Sequence, residues 1–149
     1  MEGFYEWALR GRSLRIMLVI RNDQLKRLEE EAEGAHPLEA CALLFGRREG
    51  RRAVVEEVVV VPNEERSPVS FKVNPEVFCR AIVKEEGRGR SYLGIFHSHP
   101  APESPSDVDL RAMERWPDLI WLIYSSITGN FGAYEFSRGR ARRVTTKVV

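Results

Sequence analysis

Apolar and polar positions along this chain repeat with a period of two in some stretches and 3.6 in others, and the switches mark the elements. Met17–Ile20 is a short apolar run that predicts a strand. Over 23–33, Leu25, Leu28 and Ala32 recur at helical spacing, with Asn22 or Asp23 as cap and Gly34 as stop. His36-Pro37 then breaks the chain. Ala40–Phe45 reads as a buried strand closed by Gly46 and a turn over Arg47–Arg51, and valine-rich Ala53–Val61 as its neighbour. Val69–Val73 is expected to be a short strand. Asn74 caps a helix that has Pro75 at its first position, Phe78, Ala81 and Ile82 inward, and Gly87 at its end. Tyr92–His99 is a strand, and Ser106 opens a helix on which Asp109, Ala112, Met113 and Trp116 share one face. Leu119–Tyr124 suits a strand buried on both faces, and turns at Thr128–Asn130 and Arg138–Arg140 lead into strands Phe131–Phe136 and Ala141–Val148.

The order is mixed, with hairpins at both ends. It predicts an α/β domain over 17–149, built on one mixed sheet flanked by about three helices. Residues 1–16 show no sustained period, mix Phe4, Tyr5 and Trp7 with arginines, and read as an N-terminal extension, a short helix or tail. The 149 residues suffice for one hydrophobic core. A net charge of +1 offers no global field for nucleic acid or membrane, and no run approaches the roughly 20 apolar residues of a membrane span. Ile16–Ile20 is too short for a signal-peptide core. Cys41 and Cys79 form no Cys-x-x-Cys pair, which excludes a thiolate metal site and suggests reduced core residues of a cytoplasmic protein. The basic cluster Arg138, Arg140, Arg142 and Arg143 fits a solvated hairpin.

The chemistry concentrates between Gly94 and Asp109. His97 and His99 lie two apart on one strand, so both project to the same side. Three prolines, Pro100, Pro102 and Pro105, end the strand. Asp109 then shares its helix face with apolar side chains, where a carboxylate is costly unless something positive meets it. Two nitrogens and one oxygen suit a divalent cation such as Zn²⁺, with a fourth position left for water. Each residue also has a simpler role: packing for the histidines, an N-cap for Ser106, a helix-dipole partner for Asp109. Each such role explains one residue, whereas a cation explains the set.

His97-Ser98-His99-Pro100, a short loop and Ser106-x-x-Asp109 together resemble the signature of the JAMM (MPN+) metalloproteases. That family carries an upstream glutamate in a setting to which His36-Pro37-Leu38-Glu39-Ala40-Cys41-Ala42-Leu43-Leu44-Phe45-Gly46 is similar, and Val61-Pro62-Asn63, Phe71 and Asn74-Pro75 resemble its middle segment. The resemblance spans roughly 17–136. Two departures stand out: the loop Pro100–Pro105 is one residue shorter than usual in the family, and Ala42 follows Cys41 where a glycine is common.

The resemblance implies a JAMM/MPN-like (cytidine deaminase-like) fold with one Zn²⁺ held by His97, His99 and Asp109. It implies that Glu39 takes the proton of the zinc-activated water and passes it to the leaving amine, and that Ser106 helps to bind the oxyanion. It further implies that ubiquitin or ubiquitin-like conjugates are the partners, cut after their C-terminal Gly-Gly. A peptidase trimming a β-grasp sulphur-carrier protein and a metal-free scaffold subunit are the alternatives. A nucleic-acid-associated relative fits poorly, because no basic stripe interleaved with aromatics is present.

Overall fold

The computed structural model describes residues 16–149; the helix or tail expected before them lies outside this range. Seven strands and three helices follow in the order β1 (Met17–Ile20), α1 (Asn22–Ala35), β2 (Cys41–Glu49), β3 (Arg52–Val61), α2 (Pro75–Glu86), β4 (Ser91–His99), α3 (Asp107–Arg115), β5 (Ile120–Ser125), β6 (Phe131–Ser137) and β7 (Arg140–Val148). The strands run β1-β3-β2-β4-β5-β6-β7 and close into a barrel. Closure depends on short β1, which pairs in parallel with both β3 and β7. The sheet is mixed as expected: β4 and β5 are also parallel, and the remaining neighbours are antiparallel. A helix, α3, makes the crossover between parallel β4 and β5, and ligand sites in such units form at the carboxyl ends of the strands.

Alternate residues of the sheet feed two cores. Ala42, Leu44, Phe96 and Leu122 pack with Leu28 and Ala32 of α1. Cys41, Leu43, Phe45, Ile95 and Trp121 pack with Ala81 of α2 and Met113 of α3. β5 is buried throughout, which explains its unbroken apolar run.

Several expectations need correction. Strand β2 does not stop at Gly46 but continues through a register shift to Glu49, leaving only Gly50 and Arg51 for the turn. Helix α1 runs past Gly34 to Ala35, and its N-cap is Arg21, whose N–H donates to Gln24 Oε1 at 3.0 Å. Val69–Val73 joins no strand ladder, because its backbone is tied instead to the preceding loop: Glu64 N–H donates to the Lys72 carbonyl at 2.9 Å, and Lys72 N–H to Asn63 Oδ1 at 2.9 Å. Trp116 leaves the face of Asp109, Ala112 and Met113; α3 ends at Arg115, and the indole is 61% exposed. Cys79 is exposed on α2, whereas Cys41 is buried.

Two glycines allow paired strands to approach closely. A Cβ on Gly94 would meet the Ile120 carbonyl oxygen at 2.0 Å, and one on Gly46 the Val54 carbonyl oxygen at 1.9 Å. In each case the obstacle is backbone, so a methyl group would push paired strands apart. Gly94→Ala is therefore expected to cost roughly 2–3 kcal/mol and to lower the melting temperature by more than about 5 °C. A thermal melt within 2 °C or so of the parent would contradict this packing.

Candidate metal centre

The β2–β4 register assembles the site. Cys41 stands opposite His97, and Ser98 N–H donates to the Ala40 carbonyl at 3.0 Å. One further step along the antiparallel pair sets Glu39 across from His99, on the same face. The strand that carries both histidines is enclosed by β2 and β5, so their side chains are fixed from both flanks. His97 is 0% exposed, and Glu39, His99 and Asp109 are each 3% exposed.

Asp109 arrives from the first turn of α3, whose start is fixed by a reciprocal cap. Ser106 Oγ accepts from Asp109 N–H at 3.1 Å, and Asp109 Oδ2 accepts from Ser106 N–H at 2.9 Å. The same carboxylate faces both imidazoles. His97 Nε2 lies 3.1 Å from each of its oxygens, and His99 Nε2 3.6 Å from Oδ2. Among the described residues, this trio is the one group whose ligand atoms converge for a metal ion.

The spacing suits such an ion. Tetrahedral ligands bound at about 2.0–2.1 Å are separated by roughly 3.3 Å from one another, and the observed 3.1 and 3.6 Å bracket that separation. Three buried imidazole nitrogens, His97 Nδ1, His99 Nδ1 and His99 Nε2, have no hydrogen-bond partner, nor has Glu39 Oε1. Buried polar atoms without partners are costly, and a cation with its bound water would engage both His99 Nε2 and Glu39.

The electrostatics agree. Burial opposes ionisation of Asp109, yet the hydrogen bond from His97 and the imidazole of His99 outweigh it and hold this carboxyl well below the usual range. Burial also opposes a charge on His99, but Asp109 and then Glu39 raise its pKa. Glu39 is pushed up to about 8, first by burial and then by the charge of Asp109, with His99 pulling the other way. One face of the barrel end thus holds a committed anion beside a carboxyl that titrates near neutrality.

Sequence reasoning brought together Glu39, His97, His99, Ser106 and Asp109, and the structure gathers all five in one place. It missed the residues that hold them. Ser98, the residue between the histidines, points to the other face, where its hydroxyl accepts from Ala40 N–H at 3.0 Å. Phe71 stacks on His97 with ring centroids 4.7 Å apart, and Trp121 meets the same imidazole edge-on at 5.9 Å. Asn63 donates from Nδ2 to the Glu39 carbonyl at 3.0 Å. Of these, only Asn63 and Phe71 had a signal, their place in the middle segment, and nothing local assigned them a task.

A barrel with a β-α-β crossover, carrying two strand histidines and a helix aspartate at its carboxyl end, defines the JAB/MPN class of domain. Residues 21–140 match the family described as prokaryotic homologs of the JAB domain, and the chain belongs to that family. It is 41% identical over 101 residues to the desampylase of Pyrococcus furiosus, covering 67% of this chain and 68% of that protein. It is 38% identical over 115 residues to a probable TtuB-protein conjugate cleaving protease of Thermus thermophilus, covering 76% and 70%. A CysO-cysteine peptidase of Mycobacterium tuberculosis is 30% identical over 111 residues, covering 74% of each chain. Among solved structures, protein DSY2949 of Desulfitobacterium hafniense superposes with a TM-score of 0.80 at 30% identity, over 89% of this chain and 93% of that one. The JAB1/MPN domain protein AF2198 of Archaeoglobus fulgidus shares the fold, with a TM-score of 0.57 at 24% identity over 90% and 99% of the two chains. These relations place the chain among the JAMM-type hydrolases. No helix among the described residues is long and apolar enough to cross a membrane.

The raised pKa of Glu39 has a measurable consequence in metal-free protein. The folded state holds this proton up to about pH 8, whereas an unfolded glutamate releases it near 4.5. Its contribution is therefore fully present at low pH and is lost as the pH climbs from about 4.5 to 8. Glu39→Gln removes that dependence. The two metal-free proteins should melt together near pH 4, while the variant should be more stable near pH 9 by on the order of 3 kcal/mol. Parallel melting curves from pH 5 to 9 would contradict the assignment.

Proposed function

We propose that this chain is a zinc-dependent isopeptidase that hydrolyses the bond after the C-terminal Gly-Gly of a ubiquitin or ubiquitin-like modifier. The observation that carries the reading is the convergence of His97, His99 and Asp109, with ligand atoms within 4.8 Å of one another, beside the buried, unpaired Oε1 of Glu39. Zinc, when bound, supplies hydroxide at neutral pH by lowering the pKa of its water to about 7.

The chain's own groups do the rest. His97, His99 and Asp109 hold the ion. Glu39 accepts the proton of the attacking water and delivers it to the leaving amine. Ser106 Oγ accepts in its capping bond, so its own proton is left to donate to the oxyanion of the tetrahedral intermediate. No covalent nucleophile is required; burial pushes the thiol of Cys41 up to about 12, which suits packing.

A substrate tail has somewhere to lie. Closure of the barrel removes most free strand edges, but the stretch 69–73 is outside the ladder. The Ser70 carbonyl and both backbone groups of Lys72 turn toward Asn63 and Glu64. The N–H and carbonyl of Phe71 make no hydrogen bond among the described residues. A flexible Gly-Gly tail added along this edge would pass the ring that stacks on His97. The similarity to a CysO-cysteine peptidase favours one second reading, a peptidase trimming a β-grasp sulphur-carrier protein by the same chemistry. The intact ligand trio disfavours a metal-free scaffold.

Zinc-loaded protein should cleave a Gly-Gly isopeptide conjugate, lose activity to a chelator and regain it with Zn²⁺. Glu39→Gln should bind one zinc yet fall at least roughly 100-fold in rate. Comparing a lysine-linked conjugate with a carrier protein bearing a short C-terminal extension separates the two peptidase readings. Zinc-loaded wild type that cleaves neither would overturn both, and a protein that takes up no stoichiometric zinc even after reconstitution would leave the metal-free scaffold.

A further inference from the structure

Asn63 stands at the start of the loop that follows β3, and its carboxamide uses its full hydrogen-bonding capacity of two donors and two acceptor lone pairs. Nδ2 donates to the Glu39 carbonyl at 3.0 Å and to the Ser70 carbonyl at 3.3 Å. Oδ1 accepts from Glu65 N–H at 3.1 Å and from Lys72 N–H at 2.9 Å. One side chain thus joins the residue that precedes β2 to both arms of the loop carrying Phe71.

Glu39 needs such a joint. It lies two residues before the start of β2, outside the regular ladder. Its N–H donates to the Ser67 carbonyl at 2.8 Å, and that bond comes from the same loop. The next residue is fixed from the other side by Ser98. Its carboxyl makes no hydrogen bond through Oε1 that would orient it. The backbone of Glu39 is therefore located by the 63–72 loop on one flank and by β4 on the other, and the Asn63 carboxamide closes the loop side.

We infer that Asn63 is a positioning residue for the reaction proposed above: it sets Glu39 relative to the His97–His99–Asp109 trio and couples it to the stretch 69–73. The inference rests on Glu39 serving as the general base. A displacement of about 1 Å in a reacting group can cost roughly 100-fold in rate, so the loss should appear in kcat. None of the hydrogen bonds of the Asn63 side chain goes to a metal ligand, so zinc binding should be spared.

The test uses the full chain with Asn63→Ala and Asn63→Asp. The aspartate keeps the size and both acceptor positions but loses the two donors, and it sets a carboxylate against two carbonyl oxygens. Both variants should bind one zinc with affinity within about threefold of wild type and lose roughly 10–100-fold in kcat on the conjugate. Hydrogen exchange in the metal-free proteins gives the second readout. The amides of Glu39 and Ala40 should exchange about tenfold faster or more, while those of Ile95 and Leu122 in the ladder stay protected. Unchanged exchange at Glu39, equal loosening of Ile95 and Leu122, or kcat within about threefold of wild type overturns the inference. Glu39→Gln measured alongside separates the two claims. If it hydrolyses at the wild-type rate, the general-base reading fails; if it is inactive while the Asn63 variants keep their kcat, only the positioning role fails.

Discussion

A carboxylate buried at the end of a sheet is the constraint around which this protein is arranged. Asp109 is 3% exposed, and its ionised form survives burial only because several groups meet it at once. The backbone N–H of Ser106 and the imidazole of His97 reach it directly, with His99 close behind. The first of these is a helix cap and the others are strand residues. The same charge therefore starts α3 and ties it to the end of β4, and local helix chemistry and tertiary assembly become one interaction.

That interaction asks for an accurate sheet. The two imidazoles must lie on one face, which the period of a strand supplies, and at a depth fixed by neighbours on both sides. β2 and β5 provide those neighbours, and Gly94 allows β4 and β5 to approach where a methyl group would collide. The register that pairs Cys41 with His97 also brings Glu39 level with His99, although these residues are far apart along the chain. A one-residue slip would turn Glu39 to the opposite face. The direction of the site residues is thus inherited from the ladder, and the 63–72 loop fixes Glu39 on the flank that the ladder leaves open.

Much of this was legible in the sequence, and the reasons differ by residue. His97 and His99 were readable because a period-two pattern fixes relative direction without knowledge of partners. Asp109 was readable because helical spacing set a charge among apolar residues, and Glu39 because of its place in a motif. Trp116 was misplaced because the periodic argument assumes that the helix continues, and α3 ends one residue earlier. Val69–Val73 has strand-like residues, but a side chain, Asn63, takes the hydrogen bonds that a neighbouring strand would have supplied. Barrel closure through β1 was not legible, since four residues carry no mark of pairing on both edges. Cys79 lies in an apolar run, yet α2 turns it to solvent, showing that hydrophobic neighbours in sequence do not settle burial on an amphipathic helix.

The arrangement also explains how a fold can carry a site that disfavours its own folding. Glu39 Oε1 and the imidazole nitrogens without partners are buried polar atoms, each of which costs on the order of 1–3 kcal/mol when unpaired. The surrounding cores offset that cost: β5 is buried throughout, and Met113, Phe96 and Leu122 are fully enclosed on the elements that carry or flank the site. Rigid, apolar support lets the polar groups be held in readiness instead of collapsing onto one another. Asp109 alone satisfies itself without a cation, through the cap and His97, while His99 and Glu39 do not. The asymmetry gives an order to the site: the anion that organises α3 is secured by folding, and the groups left wanting are the ones that an ion and its water would engage.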